Sequence, residues 1–339
     1  MKYYWEKYTK SKLLELRISD LNIDIKTPFI ERHLLKIKSE LNKSKLPFHP
    51  IYWLSTEWFC PDQIAGVAIP FYLAHPRLIE LERSIMGSVE GEGEFWMLRY
   101  IRHELGHAVD NAFDLRKDRK RKFIFGSPDI SYPDSYKPKI YSKKYVRYLP
   151  DWYAQAHPDE DFAETFATWF DQSQNWRTKY KNWPVKRKLQ YMNTMMNRIK
   201  KNNTFYVEKQ GPYESIDEIE MTLNQFYKMK KKRYNAELNK IFEKPLNYSF
   251  QLNESANVVS TCARNFFNKK RSKIERKVAK QLGCYQYEVK VATEIVFKHL
   301  KQNDLILRHD EKQVLIQLEY LVYRALKSSK GREIVSIKM

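Results

Sequence analysis

The first pattern along the chain is helical. Residues 12–44 carry leucines spaced among polar residues, the texture of amphipathic helices. Pro28 lies within this stretch, and a proline either interrupts a helix or begins one. We therefore predict helical structure up to about residue 44, with apolar positions at Leu13, Leu14, Leu34, Leu35 and Leu41.

Short runs of aromatic and β-branched residues come next. Ile51–Leu54 and Ile64–Leu73 are such runs, and nearby prolines and aspartates bound them. This texture is typical of strands. Pro70 lies inside the second run and donates no ladder hydrogen bond, so the pattern predicts an edge strand there. An edge strand beside a cleft can hold an extended peptide by main-chain pairing.

Helical periodicity returns between Glu94 and Phe113. At about 100° per residue, His103 and His107 point to roughly the opposite side of this helix from its apolar stripe. The two histidines are thus predicted to face a cleft and not the hydrophobic interior. The stripe itself consists of Leu98, Ile101, Leu105, Val109 and Ala112.

A loop and a second helix follow. The loop, residues 126–150, is rich in Tyr, Pro and Ser, and it either walls a cleft or is a solvated insertion. Residues 158–171 predict a helix, with Pro158 in its first turn and acidic residues where the helix dipole favours them. In this helix Phe162, Phe166 and Trp169 form the predicted core face, and Glu160 and Glu164 share another.

The C-terminal part of the chain has a different composition. Residues 201–339 contain 27 Lys and Arg against 16 Asp and Glu, in a helical pattern with predicted breaks at Gly211-Pro212 and over Asn247–Ser255. We therefore predict two domains. Residues 1–200 form an α+β domain with a small sheet, and residues 201–339 form a mostly α-helical basic domain.

The net charge of the protein indicates which classes of partner it could bind. The formal net charge is +20 and the pI is about 9.5. A surplus of this size is compatible with nucleic acid, an anionic membrane or an acidic partner. The alternative is a lysine-rich solvated surface, because the positive charge is spread along the whole chain.

Cysteine usage indicates a reducing compartment. The three cysteines, Cys60, Cys262 and Cys284, form no CxxC pair, so neither a disulfide framework nor a zinc ribbon is expected. The first residues lack the apolar core of a signal peptide, and no apolar run is long enough to span a membrane. We therefore predict a cytoplasmic protein without a transmembrane segment.

The clearest chemical signal is the run His103-Glu104-Leu105-Gly106-His107, an HExxH motif. Histidines four residues apart lie one helical turn from each other, so both imidazoles can reach one zinc ion. The intervening glutamate lies where it can accept a proton from a water molecule held by the metal. The motif therefore predicts zinc ligands at His103 and His107, and a general base at Glu104.

A catalytic zinc site needs a third protein ligand and one open position. Glu160 is the predicted third ligand, with Asp159 and Asp161 as competing candidates. Glu164 lies one helical turn after Glu160, where it could accept the free N–H of a zinc-binding histidine and fix its tautomer. The sequence thus predicts one zinc ion per chain.

Hydrolysis also requires a hydrogen-bond donor for the developing oxyanion. Tyr153 and His157 both lie just before the helix that carries Glu160, close enough in sequence to reach the site. A phenol is a good neutral donor, so Tyr153 is favoured and His157 is kept as an alternative. Each residue also has an ordinary structural explanation, as a packed tyrosine or a helix-capping histidine.

The two motifs HELGH and YAQAHPDEDFAETFATWF resemble those of gluzincin metallopeptidases, in particular a family of bacterial zinc-binding metallopeptidases. The similarity extends upstream to YWLSTEWFCPDQIAGVAIPFYLAHPRLIELER and covers roughly residues 15–175. The anthrax lethal factor catalytic domain is similar over the two zinc helices. This resemblance implies a zincin-like fold, the same three ligands and base, and a catalytic tyrosine at Tyr153.

Three hypotheses for function follow. The first is a cytoplasmic zinc peptidase, an endopeptidase acting on peptides or proteins, with a basic helical domain of unknown role. The second is a basic protein that binds nucleic acid or an acidic partner and has a non-catalytic zinc site. The third is an inactive protease scaffold, which the presence of Glu104 disfavours.

Overall fold

The computed structural model describes residues 3–86, 89–133, 135–136, 138–139, 142–202, 212–235, 246–252, 262–282, 286–302, 305–327 and 337–338. Gly211, in the first predicted break, and Cys284 lie outside these residues. The chain divides after Met229 into two compact units. Leu223 and Phe226 belong to the core of the first unit, so the division falls beyond residue 200. The separate roles proposed for residues 1–200 and 201–339 stay a prediction.

Nine α-helices and three strands are described up to residue 235. The helices are α1 (Lys10–Leu14), α2 (Pro28–Ser44), α3 (Pro76–Met86), α4 (Glu94–Ala112), α5 (Arg119–Phe125), α6 (Pro158–Phe170), α7 (Trp176–Lys179), α8 (Lys186–Asn202) and α9 (Leu223–Asn235). The strands are β1 (Ile51–Ser55), β2 (Gly66–Pro70) and β3 (Ser135–Tyr136). Pro28 begins α2, so the helical stretch predicted over residues 12–44 is two α-helices separated by a segment that contains the 3₁₀ helix Ser19–Leu21.

Strands β1 and β2 pair in parallel, with Ile51 opposite Gly66 and Ser55 opposite Pro70. All five residues of β2 are buried. On the side away from β1, the Ala68 N–H donates to the Phe59 carbonyl at 2.9 Å. Strand β2 is thus an edge of a two-stranded sheet, as predicted, with buried side chains and one bridge to Phe59 on its other side. Pro70 is tolerated because it is the last residue of the strand.

Helices α4 and α6 pack against each other within the core of the first unit. The apolar stripe predicted for α4 is buried, with Leu105 and Val109 fully inaccessible to solvent. Phe162 and Phe166 of α6 join the same core. Gly106 permits the close approach of the helices, since a Cβ atom there would lie 2.6 Å from the Cα of Ala163.

The second unit has a core of its own. It contains α10 (Ala263–Leu282), α11 (Gln286–Gln302) and α12 (Glu311–Lys327), with short strands β4 (Phe250–Leu252), β5 (Leu305–Leu307) and β6 (Ile337–Lys338). Strands β4 and β5 pair antiparallel, and the three helices share a hydrophobic cluster. Among the described residues of the whole chain, no helix combines the length and hydrophobicity needed to cross a bilayer.

Candidate metal centre

The polar face of α4 is turned toward α6. His103, Glu104 and His107 are only 2%, 7% and 8% exposed. The histidines lie away from the apolar stripe, as the helical periodicity predicted, and are buried among the described residues. They meet the acidic face of α6, where Glu160 and Glu164 contact them.

Three ligand atoms converge between the two helices. Nε2 of His103 lies 3.0 Å from Oε2 of Glu160, and Nε2 of His107 lies 3.3 Å from the same oxygen. The two Nε2 atoms are 3.3 Å apart. Zinc bonds of about 2.0–2.1 Å at tetrahedral angles place neighbouring ligand atoms about 3.3 Å apart. These residues therefore fit a single small cation such as Zn²⁺, and they form the one group of potential metal ligands within the described ranges.

The charges around this group also favour a cation. Burial lowers the pKa of both histidines, but nearby carboxylates outweigh it and raise the pKa of His103 and His107. Burial works against ionisation of Glu160, yet the two histidines hold the pKa of that carboxyl far below its ordinary value. With Glu104 and Glu164, three buried carboxyl groups surround two imidazoles. A bound cation offsets the negative charge of such a set.

Glu164 connects the centre to the preceding loop. One of its oxygens, Oε1, lies 3.0 Å from Nδ1 of His103. The other, Oε2, accepts the backbone N–H groups of Tyr148 and Leu149 at 3.2 and 2.9 Å. A carboxylate on Nδ1 favours the tautomer that leaves Nε2 without a proton, as a metal ligand requires. The same side chain therefore orients a histidine and anchors the end of the 126–150 loop.

Glu104 is placed beside the ligands without joining them. Burial raises the pKa of Glu104, and the charges of His103 and His107 oppose this effect without cancelling it. Cys60 lies close enough for the Glu104 charge to add to the effect of burial and raise the pKa of its thiol. A carboxylate with a raised pKa, next to a metal site but outside the ligand set, has the properties of a general base.

Tyr153 lies next to the ligand His103, in the 3₁₀ helix Pro150–Gln155. Its ring centroid is 5.5 Å from that of His103. Burial, followed by the charges of Glu160 and Glu104, raises the pKa of Tyr153 well above its ordinary value. The phenol is therefore protonated at neutral pH and can donate a hydrogen bond near the centre.

His157 has a structural contact at each ring nitrogen. It is the N-cap residue of α6, where Nδ1 accepts the backbone N–H of Asp159 at 3.2 Å. Its Nε2 donates to the carbonyl of Ile130 at 2.9 Å. Both nitrogens are thus engaged away from the ligand atoms, so we base the oxyanion proposal on tyrosine and not on His157.

Tyr132 is a site residue that the sequence did not reveal. Its hydroxyl donates to Oε1 of Glu160 at 2.9 Å, and its ring stacks on His157 with centroids 3.8 Å apart. Burial and the charge of Glu160 raise the pKa of this phenol. The 126–150 loop contains several tyrosines, and nothing in the sequence pattern distinguishes the one that reaches the ligand.

The aspartates beside Glu160 make ion pairs of their own. Asp159 accepts from Arg121 Nη2 at 2.7 Å, and the same nitrogen donates to Asp110 of α4 at 2.6 Å. Asp161 pairs with Lys188, although burial raises the pKa of Asp161 to about 7. Neither competing ligand candidate belongs to the group that surrounds the metal position.

Comparison with known protein families agrees with this geometry. Residues 91–261, just over half of the chain, match the family described as "Putative zinc-binding metallo-peptidase". The match includes both α4 and α6, and therefore the three converging residues. No curated protein and no solved structure matches the chain.

Proposed function

Because the chain belongs to the family of zinc-binding metallo-peptidases, we propose that it hydrolyses peptide bonds with one zinc ion bound by His103, His107 and Glu160. The convergence of three ligand atoms at 3.0–3.3 Å is the observation that carries this proposal. The finer assignments, a gluzincin with a zincin-like fold that acts as an endopeptidase, are part of the same proposal. The similarity to the lethal factor catalytic domain stays a prediction.

Each polar residue has a defined task in the proposed reaction. A zinc ion in this set would act as a Lewis acid and lower the pKa of water toward about 7. Glu104 accepts a proton from the attacking water and later donates it to the leaving amine. Its burial supports this role, because a raised pKa brings a carboxylate closer to neutral pH.

We favour Tyr153 over Tyr132 as the hydrogen-bond donor to the oxyanion. Tyr153 is near both Glu160 and Glu104, and no described residue forms a hydrogen bond with its hydroxyl. Tyr132 already donates to Glu160, so it supports a ligand instead. A phenol hydrogen bond to the substrate carbonyl oxygen would stabilise the charge that develops there.

Zinc content and hydrolysis test the proposal together. We expect about one zinc per chain in the wild type, loss of zinc in His107→Ala, and retention of zinc in Glu104→Ala. Peptides blocked at both ends serve as substrates, because only an endopeptidase cleaves them. Glu104→Ala should abolish their cleavage while the fold and metal remain. Wild type that folds but binds no zinc, or Glu104→Ala with unchanged turnover, would overturn the proposal.

Charge motivates a second candidate function. The formal charge of +20, and the surplus of lysine and arginine over residues 201–339, are compatible with binding to nucleic acid or an acidic partner. In this alternative the zinc site has no catalytic role. Structural zinc sites are usually closed by four ligands that include cysteine, and Cys60 is outside the ligand group. Binding of the full chain to an oligonucleotide that falls steeply with salt would favour this function.

Location in a reducing compartment, the cytoplasm, is also part of the proposal. Cys60 and Cys262 are both free thiols, which fits a reducing environment. Cell fractionation with an antibody against the untagged protein tests this assignment, and recovery outside the cytoplasm would contradict it.

A further inference from the structure

The ligand face of α4 continues beyond the histidines. Trp96, Tyr100, His103 and His107 are spaced by four, three and four residues. At about 100° per residue they fall within about 60° of one another around the helix axis. Trp96 and Tyr100 therefore extend the metal-binding face by two turns toward the start of the helix.

These two residues form an aromatic surface together with Trp58. The rings of Trp58 and Tyr100 stack with centroids 5.4 Å apart and an interplanar angle of 14°. Trp96 lies against Tyr100 at a centroid distance of 6.4 Å. Trp96 is 38% exposed, so the surface opens to solvent at its outer end. We call Trp58, Trp96 and Tyr100 the aromatic patch.

Packing connects the patch to the metal ligands. Tyr100 and Tyr153 pack on the same buried cluster, and the Tyr153 ring in turn contacts that of His103. The patch thus begins beside the proposed oxyanion donor, Tyr153, and it runs outward along α4 to Trp96.

A positive charge borders the patch. The guanidinium of Arg99 lies 5.9 Å from the ring centroid of Trp96 and 4.0 Å from that of Tyr148. Among the described residues, the adjacent Arg102 pairs with Glu40 and Asp171, and no ion pair of Arg99 is seen. The like charge of Arg99 opposes the cation–π attraction that the rings would offer a lysine or arginine side chain, whereas an uncharged aromatic or aliphatic side chain meets no such repulsion.

We propose that the aromatic patch is a substrate subsite that binds an aromatic or large aliphatic side chain next to the scissile bond. This inference rests on the proposed peptidase function and adds a substrate class to it. Flat aromatic walls favour stacked or edge-on rings, and apolar residues bind by removal of their surface from water. We assign a substrate side chain to the patch because Tyr100 and Tyr153 connect the patch to the ligand face of α4.

Cleavage of defined peptides tests the subsite. A degenerate peptide mixture, blocked at both ends, is incubated with zinc-loaded wild type, and the cleavage sites are identified by mass spectrometry. We expect Phe, Tyr, Trp or Leu to be enriched at one position beside the cut, and Lys and Arg to be depleted there. A pair of peptides that differ only by Phe or Ala at that position then measures the preference.

Two patch variants and one matched control make the test specific. Trp96→Ala and the milder Tyr100→Leu should lower kcat/KM for the Phe peptide by about tenfold or more, mainly through KM. The Ala peptide should be affected much less. Phe123→Ala is the control, because Phe123 is 75% exposed and has Arg187 over its ring, yet lies on α5 away from this face. It should leave both peptides unchanged.

Three results would overturn the inference. The first is equal cleavage of the Phe and Ala peptides by wild type. The second is Trp96→Ala and Tyr100→Leu with wild-type preference. The third is a wild-type dimer, seen by light scattering, that Trp96→Ala converts to a monomer, since a second copy would then cover the patch. Absence of any Glu104-dependent cleavage is a different failure, because it removes the proposed peptidase function as well.

Discussion

At the scale of single residues, two tyrosines near the metal position have different surroundings. Tyr132 donates to Glu160, a proposed ligand, whereas the hydroxyl of Tyr153 has no hydrogen-bond partner among the described residues. A donor that is not yet engaged is available to a substrate oxygen, and an engaged one supports the ligand. We therefore expect the Tyr132 hydroxyl to support metal binding and the Tyr153 hydroxyl to take part in catalysis.

This difference predicts opposite signatures for two conservative changes. Tyr153→Phe should keep zinc and lower kcat by about 10²–10³, the usual loss for one oxyanion donor. Tyr132→Phe should instead weaken zinc binding by about 10–100-fold, because it removes a hydrogen bond that orients the ligand carboxylate. Zinc titration with a chelator and steady-state kinetics measure the two effects. A change in kcat at saturating zinc for Tyr132→Phe, with none for Tyr153→Phe, would reverse the assignment.

At the scale of helices, the geometry of the centre depends on how α4 and α6 are held together. Gly106 brings the helix backbones close at their crossing. Arg121, which is fully buried, donates to Asp110 on α4 and to Asp159 on α6. Arg116 pairs with the same two aspartates, at 3.4 and 3.2 Å. Removing one partner from such a buried network would leave a buried charge uncompensated. The network therefore holds α4 and α6 together, and Glu160 is held in place with them.

Gly106→Ala tests the importance of the helix crossing. In an open helix this change stabilises by about 1 kcal/mol. Here the new Cβ would lie 2.6 Å from Ala163 Cα and 2.9 Å from its carbonyl oxygen, so α6 must shift. We expect a net loss of about 1–3 kcal/mol in the free energy of unfolding, together with weaker zinc binding.

Denaturant unfolding and zinc titration of Gly106→Ala measure the two effects. Apo and zinc-loaded protein should be compared, since a bound metal adds its own stabilisation. A stabilised variant with normal zinc affinity would show that the crossing is looser than the structure indicates.

At the scale of the whole molecule, the first unit contains every residue of the proposed centre. Its hydrophobic cluster extends from Trp5 to Tyr227, and the second unit has a core of its own. The family match, residues 91–261, nevertheless extends past the division at Met229. Residues beyond that division are thus part of what the family shares, even though the ligands all precede it.

Truncation tests whether the first unit folds and binds zinc without the second unit. A chain that ends after Met229 should unfold cooperatively and bind about one zinc, because it retains the core and all three ligands. Thermal unfolding followed by circular dichroism, with and without zinc, checks the fold, and elemental analysis checks the metal. Loss of cooperative unfolding would show that the first unit depends on residues 230–338.

The sequence by itself determined the local features of the protein. The spacing of HExxH predicted a shared helical face for His103 and His107, and period-matched apolar positions predicted the buried stripe of α4. The helix signals around Pro158 also identified where α6 begins, whereas Pro28 was compatible with either an interruption or the start of a helix. These features depend on residues within one or two helical turns of each other. Such residues are close in the sequence, so the pattern of residue types is enough to predict them.

Only the tertiary structure decided which distant residues meet. It brought Glu160 to within 3.0 Å of His103, turned Asp159 and Asp161 toward cations, and placed Tyr132 on Glu160. It also buried the side chains of β2, the edge strand that Pro70 predicted. Loop paths and helix crossings follow from the packing of the whole core. Several tyrosines, or several acids, therefore look equivalent in the sequence until that packing selects among them.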